Sequence, residues 1–236
     1  MKKIRILWLY DDLLDLYGDG GNLLIIEYYL KKNNLDYELV RLSIADKLDL
    51  TTFDMIYIGP GKLKNLIVAS QHFNQYKQQF SEAIDQGKLI LISGNAQLLL
   101  SKSFTTSDNV KHLGSGILEF DGVDNDQVYI SDVIAQTNTD PSMLIYGFIN
   151  RTSYILPYRF DRTLLTIKKG LSDHPHSYEK GFLINNLFAS WLLGPILIKN
   201  PQLLKKFLCI LTKKDDLIID DQLSQMAYKL TMDEFT

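Results

Sequence analysis

Ser93 and Gly94 end an apolar run and come directly before a segment of helical character. The run, LILIS over residues 89–93, has the composition of a fully buried β-strand. A sharp strand–turn–helix junction is where an α/β enzyme can place a nucleophile, because the turn exposes the side chain above the sheet. A serine hydroxyl there needs a hydrogen-bonded base before it can attack a carbonyl carbon. We favour a serine that caps the following helix over an amidase nucleophile.

Glycine-rich and Gly-Pro turns recur in LYGDGGN (16–22), GPG (59–61) and GPILIKNP (194–201). Glycine lets the backbone approach a ligand and point its amides inward, whereas Pro60 has no N–H to donate. A glycine-rich turn before a helix can also bind phosphate at the amino end of that helix. Asp19 would repel such an anion, so we predict a structural role for the first turn.

These segments together resemble class I glutamine amidotransferases of the cobyric-acid-synthase-like branch, most closely the glutaminase subunits of lipid II isoglutaminyl synthases. The same likeness extends to GSGILEF (114–120) and Gly147-Phe148, and it covers most of the chain. It implies a flavodoxin-like α/β fold, with a mostly parallel sheet, a mixed or antiparallel extension, and helices on both faces.

At the catalytic positions the chain departs from this family. The resemblance implies a cysteine at the turn, where this chain has Ser93, and a histidine directly before the Gly-Pro, where it has Leu193. Leucine cannot accept a proton. The resemblance therefore implies a scaffold that has lost its nucleophile and base.

The resemblance also assigns the rest of a glutamine pocket. The oxyanion loop corresponds to Gly59-Pro60-Gly61, and Asp19 belongs to the first motif. After the turn, only Gly94 and Gln97 match the family pattern. The arginine that receives the glutamine carboxylate in the family aligns with Val128.

The remaining chemically active side chains give weaker signals. No histidine falls in a segment that the resemblance places near the turn. His174 and His176 lie in a polar loop, and we interpret them as surface residues rather than as a metal site or a displaced base. Cys209 lies in an apolar helical stretch and is interpreted as a buried small hydrophobe. One cysteine cannot build a cysteine-based zinc site. We expect neither a metal nor a cofactor.

Periodicity predicts alternating strands and helices up to residue 101 and mainly short strands after residue 110. The predicted strands are Ile4–Tyr10, Tyr37–Leu42, Phe53–Gly59, Lys88–Ser93, Ile117–Phe120, Gln127–Gln136, Met143–Asn150, Tyr154–Tyr158 and Leu164–Lys168. The predicted helices are Gly21–Lys32, Leu66–Gln86, Asn200–Leu211 and a short one within Asp220–Tyr228, and residues 170–180 are predicted to be a loop. A parallel sheet places binding sites at the carboxyl ends of its strands, where we expect Asp11, Gly59 and Ser93.

Composition sets broad limits on function. The chain has 46% hydrophobic and 22% charged residues and a net charge of -3, which gives no reason to expect nucleic acid as a partner. No apolar run approaches the roughly 20 residues that span a bilayer, and the amino terminus lacks a signal-peptide pattern. We therefore expect one domain over residues 1–236, a cytoplasmic location and no membrane insertion.

The leading hypothesis is a catalytically degenerate glutamine-amidotransferase-like subunit. The resemblance implies a Mur-ligase-like synthetase of cell-wall precursor as its partner, and a glutamine-like small molecule as a ligand. One alternative is an active glutaminase or amidase that uses Ser93, which requires a base about 2.6–3.2 Å from the hydroxyl. Another is a non-catalytic sensor, which requires a polar pocket at the turn. A partner-binding subunit predicts an exposed apolar patch elsewhere.

Overall fold

The computed structural model describes residues 2–157 and 161–235. Within those residues the strands are β1 (Ile4–Leu9), β2 (Tyr37–Leu42), β3 (Met55–Ile58), β4 (Leu89–Ser93), β5 (Ser103–Thr105), β6 (Lys111–Leu113), β7 (Asp121–Thr137), β8 (Leu144–Leu156), β9 (Thr163–Lys169), β10 (Glu179–Ile184) and β11 (Leu187–Ser190). The helices are α1 (Gly21–Lys32), α2 (Leu63–Phe73), α3 (Lys77–Asp85), α4 (Ile196–Lys199), α5 (Pro201–Thr212) and α6 (Gln222–Phe235). Short 3₁₀ helices cover Leu50–Thr52, Asn74–Tyr76 and Gly94–Leu100.

The parallel part of the sheet has the strand order β2-β1-β3-β4-β11. Every residue of β3 and β4 is buried, as expected for parallel strands covered on both faces. The connection from β1 to β2 steps one way along the sheet, and that from β3 to β4 steps the other way. Because such crossovers are right-handed, α1 lies on one face and α2 with α3 on the other. Binding sites in such sheets form where the direction reverses, at the carboxyl ends of the strands.

The extension begins at β11 and is mainly antiparallel. It continues through β10 and β9 to β7, which pairs with β8 over most of its length and with the short β5. Alternate residues of β8 are buried from Ile145 to Ile155, because one face packs on the core and the other faces outward. The predicted mostly parallel sheet with a mixed extension is confirmed.

Several predicted elements differ from the structure. Residues 117–120 are not a strand: residues 117–119 form bends, and Leu118 N–H donates to the carbonyl of Leu100 at 2.8 Å. The predicted long helix is broken by the 3₁₀ turn at residues 74–76, where the Asn74 side chain donates to the carbonyl of Leu113 at 3.2 Å.

Two further differences concern the extension. The strands predicted at 143–150 and 154–158 are one continuous strand, β8, and Tyr158 lies outside the described residues. The predicted loop at 170–180 ends earlier, because Glu179 and Lys180 already pair with β9.

Among the helices of residues 2–157 and 161–235, none combines the length and apolarity needed to cross a membrane.

Candidate ligand site at the ends of the parallel strands

Two sequence motifs separated by 175 positions meet beside the ends of the parallel strands. The Asp19 carboxylate accepts a hydrogen bond from Gly194 N–H at 2.8 Å, and Asn22 Oδ1 accepts one from Leu197 N–H at 2.9 Å. A β-carbon on Gly21 would lie 2.6 Å from Cγ of Pro195. This close packing accounts for the glycine at position 21. It also favours the structural interpretation of the first turn over phosphate binding.

Ser93 is the last residue of β4, at the predicted carboxyl end, but its hydroxyl faces inward. The residue is only 2% exposed, and it lies on the wall of an apolar interior cavity of about 20 Å³. Its hydroxyl lies 3.3 Å from the hydroxyl of Tyr57. Within the described part of the chain it makes no capping hydrogen bond to the following 3₁₀ helix, so the predicted cap is wrong.

Asp19, Tyr57 and Ser93 form a buried polar cluster below the turn. Tyr57 donates to Asp19 Oδ2 at 3.4 Å. Burial raises the pKa of the Asp19 carboxyl, and hydrogen bonds from Ser93, Gly194 and Tyr57 partly oppose that rise. Burial, together with the charge of Asp19, also raises the pKa of the Tyr57 hydroxyl well above its usual range. Asp19 is the proton acceptor of this cluster, and it accepts hydrogen bonds from Ser93, Tyr57 and Gly194.

Above the cluster, Gly94 is enclosed by two apolar side chains. Its φ is +63°. A β-carbon at Gly94 would lie 2.6 Å from Cβ of Pro60 and 2.8 Å from Cδ2 of Leu193. Leu193 N–H donates to the carbonyl of Phe148 at 2.8 Å, which fixes the backbone of the expected base position. Leu193 thus contacts the turn, where the resemblance places a base, but its hydrocarbon side chain cannot accept a proton.

The predicted oxyanion loop is tied to the turn by Asn95. Gly61 N–H donates to Asn95 Oδ1 at 3.0 Å, and Asn95 Nδ2 donates to the carbonyl of Gly61 at 2.7 Å. Gly59 lies on the other side of the loop, where a β-carbon would meet the carbonyl of Leu14 at 2.7 Å. Because Pro60 has no N–H and that of Gly61 is occupied, neither residue can donate to a developing oxyanion.

An open cleft of about 330 Å³ lies beside Gly94, within the usual size range of small-molecule sites. Leu16, Pro60, Leu98, Trp191 and Leu193 supply its apolar lining, and Lys62, Asn95, Asp124, Asn150, Arg151, Thr152 and Ser153 supply polar groups.

The other residues assigned by resemblance lie away from this cleft. Gln97 is fully buried, and its side-chain amide has no hydrogen-bond partner among the described residues. Val128 is 58% exposed on an outer groove of about 720 Å³, together with His174 and His176. The structure therefore does not bring Val128 or these histidines to Ser93.

The structure adds functional candidates that sequence patterns did not single out. Asn95 follows the turn without matching the family pattern, and Tyr57 is one aromatic residue of a buried strand. Arg151 is 5% exposed in β8. The sequence signal that could have identified it is an arginine on the side of β8 that otherwise carries mainly apolar residues. Arginine is rarely buried without a partner.

The fold is that of glutamine amidotransferases of known structure. Solved structures with the same fold include a glutamine amidotransferase at 16% identity, covering 87% of this chain and 98% of that one, with a TM-score of 0.55. Another glutamine amidotransferase, from Thermotoga maritima, is 12% identical, covers 99% of this chain and 92% of that one, and has a TM-score of 0.54. No protein-family model matches the chain.

Two relatives found by sequence carry the same name. The chain is 26% identical over 200 residues to subunit GatD of the glutamine-hydrolysing lipid II isoglutaminyl synthase of Staphylococcus aureus, covering 85% of this chain and 81% of the relative. It is 23% identical over 214 residues to the GatD subunit of Streptococcus pneumoniae, covering 90% and 82%. The resemblance inferred from the motifs is confirmed.

Proposed function

We propose that this chain is a GatD-like subunit that no longer hydrolyses glutamine and that binds or regulates a Mur-ligase-like synthetase in the amidation of lipid II. The assignment to lipid II amidation rests on the names of the relatives. The loss of hydrolysis rests on the residues at the turn.

The burial of the Ser93 hydroxyl carries the proposal. A nucleophile must reach the amide carbon of its substrate and lose its proton to a base. Ser93 Oγ lies below the turn against Tyr57, while the cleft opens above it beside Gly94. At the expected base position, Leu193 can accept no proton. Asp19 can accept one and is hydrogen-bonded to Ser93, but both side chains are buried below the turn and do not line the cleft.

The oxyanion loop supports the same conclusion independently. Removal of one oxyanion donor costs about 10²–10³ in rate. Here Pro60 lacks the donor and Asn95 occupies that of Gly61. Restoring the nucleophile alone would therefore leave the transition state without this stabilisation.

A protein partner is supported by the carboxyl-terminal helix. Leu223, Met226 and Leu230 follow a helical i, i+3, i+7 spacing, and all three are exposed, Leu223 by 82%. A contiguous apolar helix face is typical of a protein interaction site. The relatives are themselves subunits by name.

Ammonia release from L-glutamine tests the loss of hydrolysis. We expect no turnover above background for the purified chain, with or without a co-purified synthetase, and no change on Ser93→Ala. Turnover that disappears in Ser93→Ala would establish an active serine glutaminase instead. A pull-down from the native cell should retain a synthetase-like chain, and Leu223→Glu with Met226→Glu should release it.

A small-molecule sensor is the second candidate. The observation that favours it is the open cleft beside Gly94, with polar and apolar walls.

A further inference from the structure

One edge of the long strand β7 is only partly paired. β8 pairs with β7 along one edge, at residues 121–124 and 129–136. The opposite edge pairs with β5 at residues 121–123 and with β9 at residues 134–137. Residues 129–133 are therefore in regular register with β8, while no strand of the described residues covers their other edge.

The backbone groups of Ile130 point to this open edge. In an antiparallel pair, opposite residues alternate between exchanging two backbone hydrogen bonds and exchanging none. The N–H and C=O of Tyr146 both bond to the Asn200 side chain, at 2.8 and 2.7 Å, so Tyr146 and its partner Ile134 exchange none. Four residues along the same register, Ile130 and Asn150 exchange none either. The N–H and C=O of Ile130 thus face away from β8, where neither has a hydrogen-bond partner among the described residues.

An open groove of about 720 Å³ lies beside this edge. Gln127–Ile130 form one side of it, and most of its other lining comes from residues 170–178. Val128 and Ile130 are each 58% exposed, and Tyr178 is 78% exposed. An uncovered strand edge is a template for pairing with another chain. Extended peptides bind in this way, with backbone bonds that give affinity and side-chain contacts that give specificity.

The charge beneath the groove is positive. Arg151 and Lys180 are both buried beside a single carboxylate, that of Asp173, which lies 2.8 Å from Lys180 Nζ. Arg151 lines the groove together with His174 and His176, and no aspartate or glutamate of the described chain lines it. Opposite charges attract more strongly where water is partly excluded. The groove therefore favours a peptide that carries acidic residues.

We propose that this groove binds an extended acidic peptide, which pairs with the backbone of Ile130 as an additional strand. Successive side chains of a strand point to opposite faces of the sheet. Peptide side chains on the face of Ile130 meet exposed apolar surface, whereas those on the opposite face, which carries Arg151, meet positive charge. The site uses neither Ser93 nor the exposed face of α6, so it is independent of the proposed function.

Fluorescence anisotropy tests the site with a labelled hexapeptide of alternating glutamate and valine. This peptide should bind saturably at about 1 mM or below, and at least about ten-fold more tightly than the same peptide with lysine in place of glutamate. No saturable binding, or equal binding of the lysine peptide, would overturn the proposal.

N-methylated peptides test the backbone pairing. Only alternate residues of an added strand direct their N–H groups to its neighbour. Methylation of one set, either the valines or the glutamates, should therefore weaken binding by about ten-fold or more, and methylation of the other set should change it little. The sensitive set should be the valines if the peptide runs antiparallel to β7. Equal effects of the two sets would show that no strand is added.

Ile130→Glu tests the location, because it places a negative charge on an exposed side chain of the groove. It should weaken binding of the glutamate peptide by about ten-fold or more. Leu113→Glu, which adds the same charge at a residue of β6 that is 70% exposed, should leave binding unchanged. In the unaltered chain, saturating peptide should slow hydrogen exchange of the Ile130 amide, measured by NMR. Equal effects of the two substitutions, or unchanged exchange at Ile130, would place the peptide elsewhere and overturn the proposal.

Discussion

The side-chain amide of Asn95 makes two hydrogen bonds to the backbone of Gly61, accepting one at 3.0 Å and donating one at 2.7 Å. This pairing joins the loop after β3 to the turn after β4. The side-chain oxygen of Asn95 therefore occupies the N–H of Gly61, which is not free to donate to a ligand.

Restoring the catalytic pair should give at best feeble activity. Ser93→Cys alone should produce no ammonia, because a thiol needs a base or cation to form a thiolate. Adding Leu193→His supplies the base on a backbone already fixed by Phe148, but the loop donor remains occupied. Adding Asn95→Gly should raise the rate of the double variant by up to about 10²–10³. The measurement is ammonia release from L-glutamine.

The matched control for this series is Ser93→Ala combined with Leu193→His and Asn95→Gly, which lacks a nucleophile and should remain at background. If Ser93→Cys with Leu193→His alone reached the rate of an ordinary glutaminase, the loop would be competent as it stands. The degeneration would then be limited to two residues.

Asp19→Asn should stabilise the protein at neutral pH and not in acid. Burial raises the pKa of Asp19 in the folded state. The folded state is therefore most stable when Asp19 is protonated, below about pH 4. That stability is lost as the pH rises through the folded-state pKa. Asparagine is neutral throughout and can still accept from Gly194 N–H. Urea unfolding from pH 4 to pH 7.5 should show an advantage for Asp19→Asn that grows with pH. Asp85→Asn, on an exposed residue, controls for net charge; an equal trend in both variants would contradict the prediction.

Gly94→Ala should destabilise the fold more than Gly116→Ala. Both glycines have positive φ, +63° and +69°, but a β-carbon at Gly116 would meet nothing within 4 Å. Backbone strain should cost about 1 kcal/mol at either site. At Gly94, overlap with Pro60 and Leu193 should add about 1–3 kcal/mol. Equal losses in chemical denaturation would show that the two side chains move away freely.

Lys180→Met should cost about 3 kcal/mol in unfolding free energy, because it leaves Asp173 buried without its partner. This is the lower end of the usual range, since Arg151 also interacts with Asp173 and partly compensates its charge. Lys102→Met, which breaks an exposed pair with Asp121 at 3.5 Å, should cost no more than about 1 kcal/mol. A loss for Lys180→Met no larger than for Lys102→Met would show that Asp173 is well solvated.

Much of the parallel half could be predicted from sequence. The bounds of α1 and β2 agree with the predicted ranges, and β1, β3 and β4 differ by a few end residues, because buried strands and an amphipathic helix leave clear periodic patterns. The extension was harder to predict. β10 and β11 depend on pairing with distant strands, and the short β5 and β6 carry too few residues for a period.

The sequence predicted which residues lie together at the site, but it did not predict which way their side chains point. Sequence motifs identified Ser93, Gly94, Pro60 and Leu193 as neighbours. Which way the Ser93 hydroxyl points depends on Tyr57, a strand residue whose ring and hydroxyl have no local sequence signature. The hydrogen bonds between Asn95 and Gly61 likewise arise from contacts between segments far apart in the chain. So does the burial of two cations, Arg151 and Lys180, around the single carboxylate of Asp173.

The position of β11 has a consequence for synthesis on the ribosome. β4 pairs on one side with β3 and on the other with β11, so the nascent chain exposes an apolar parallel edge until residues 187–190 have emerged. The hydrogen bond from Gly194 to Asp19 forms later still. An open, uncharged edge is prone to pair with other chains. Translation that stops between residues 100 and 186 should therefore yield fragments that depend on chaperones to stay unaggregated.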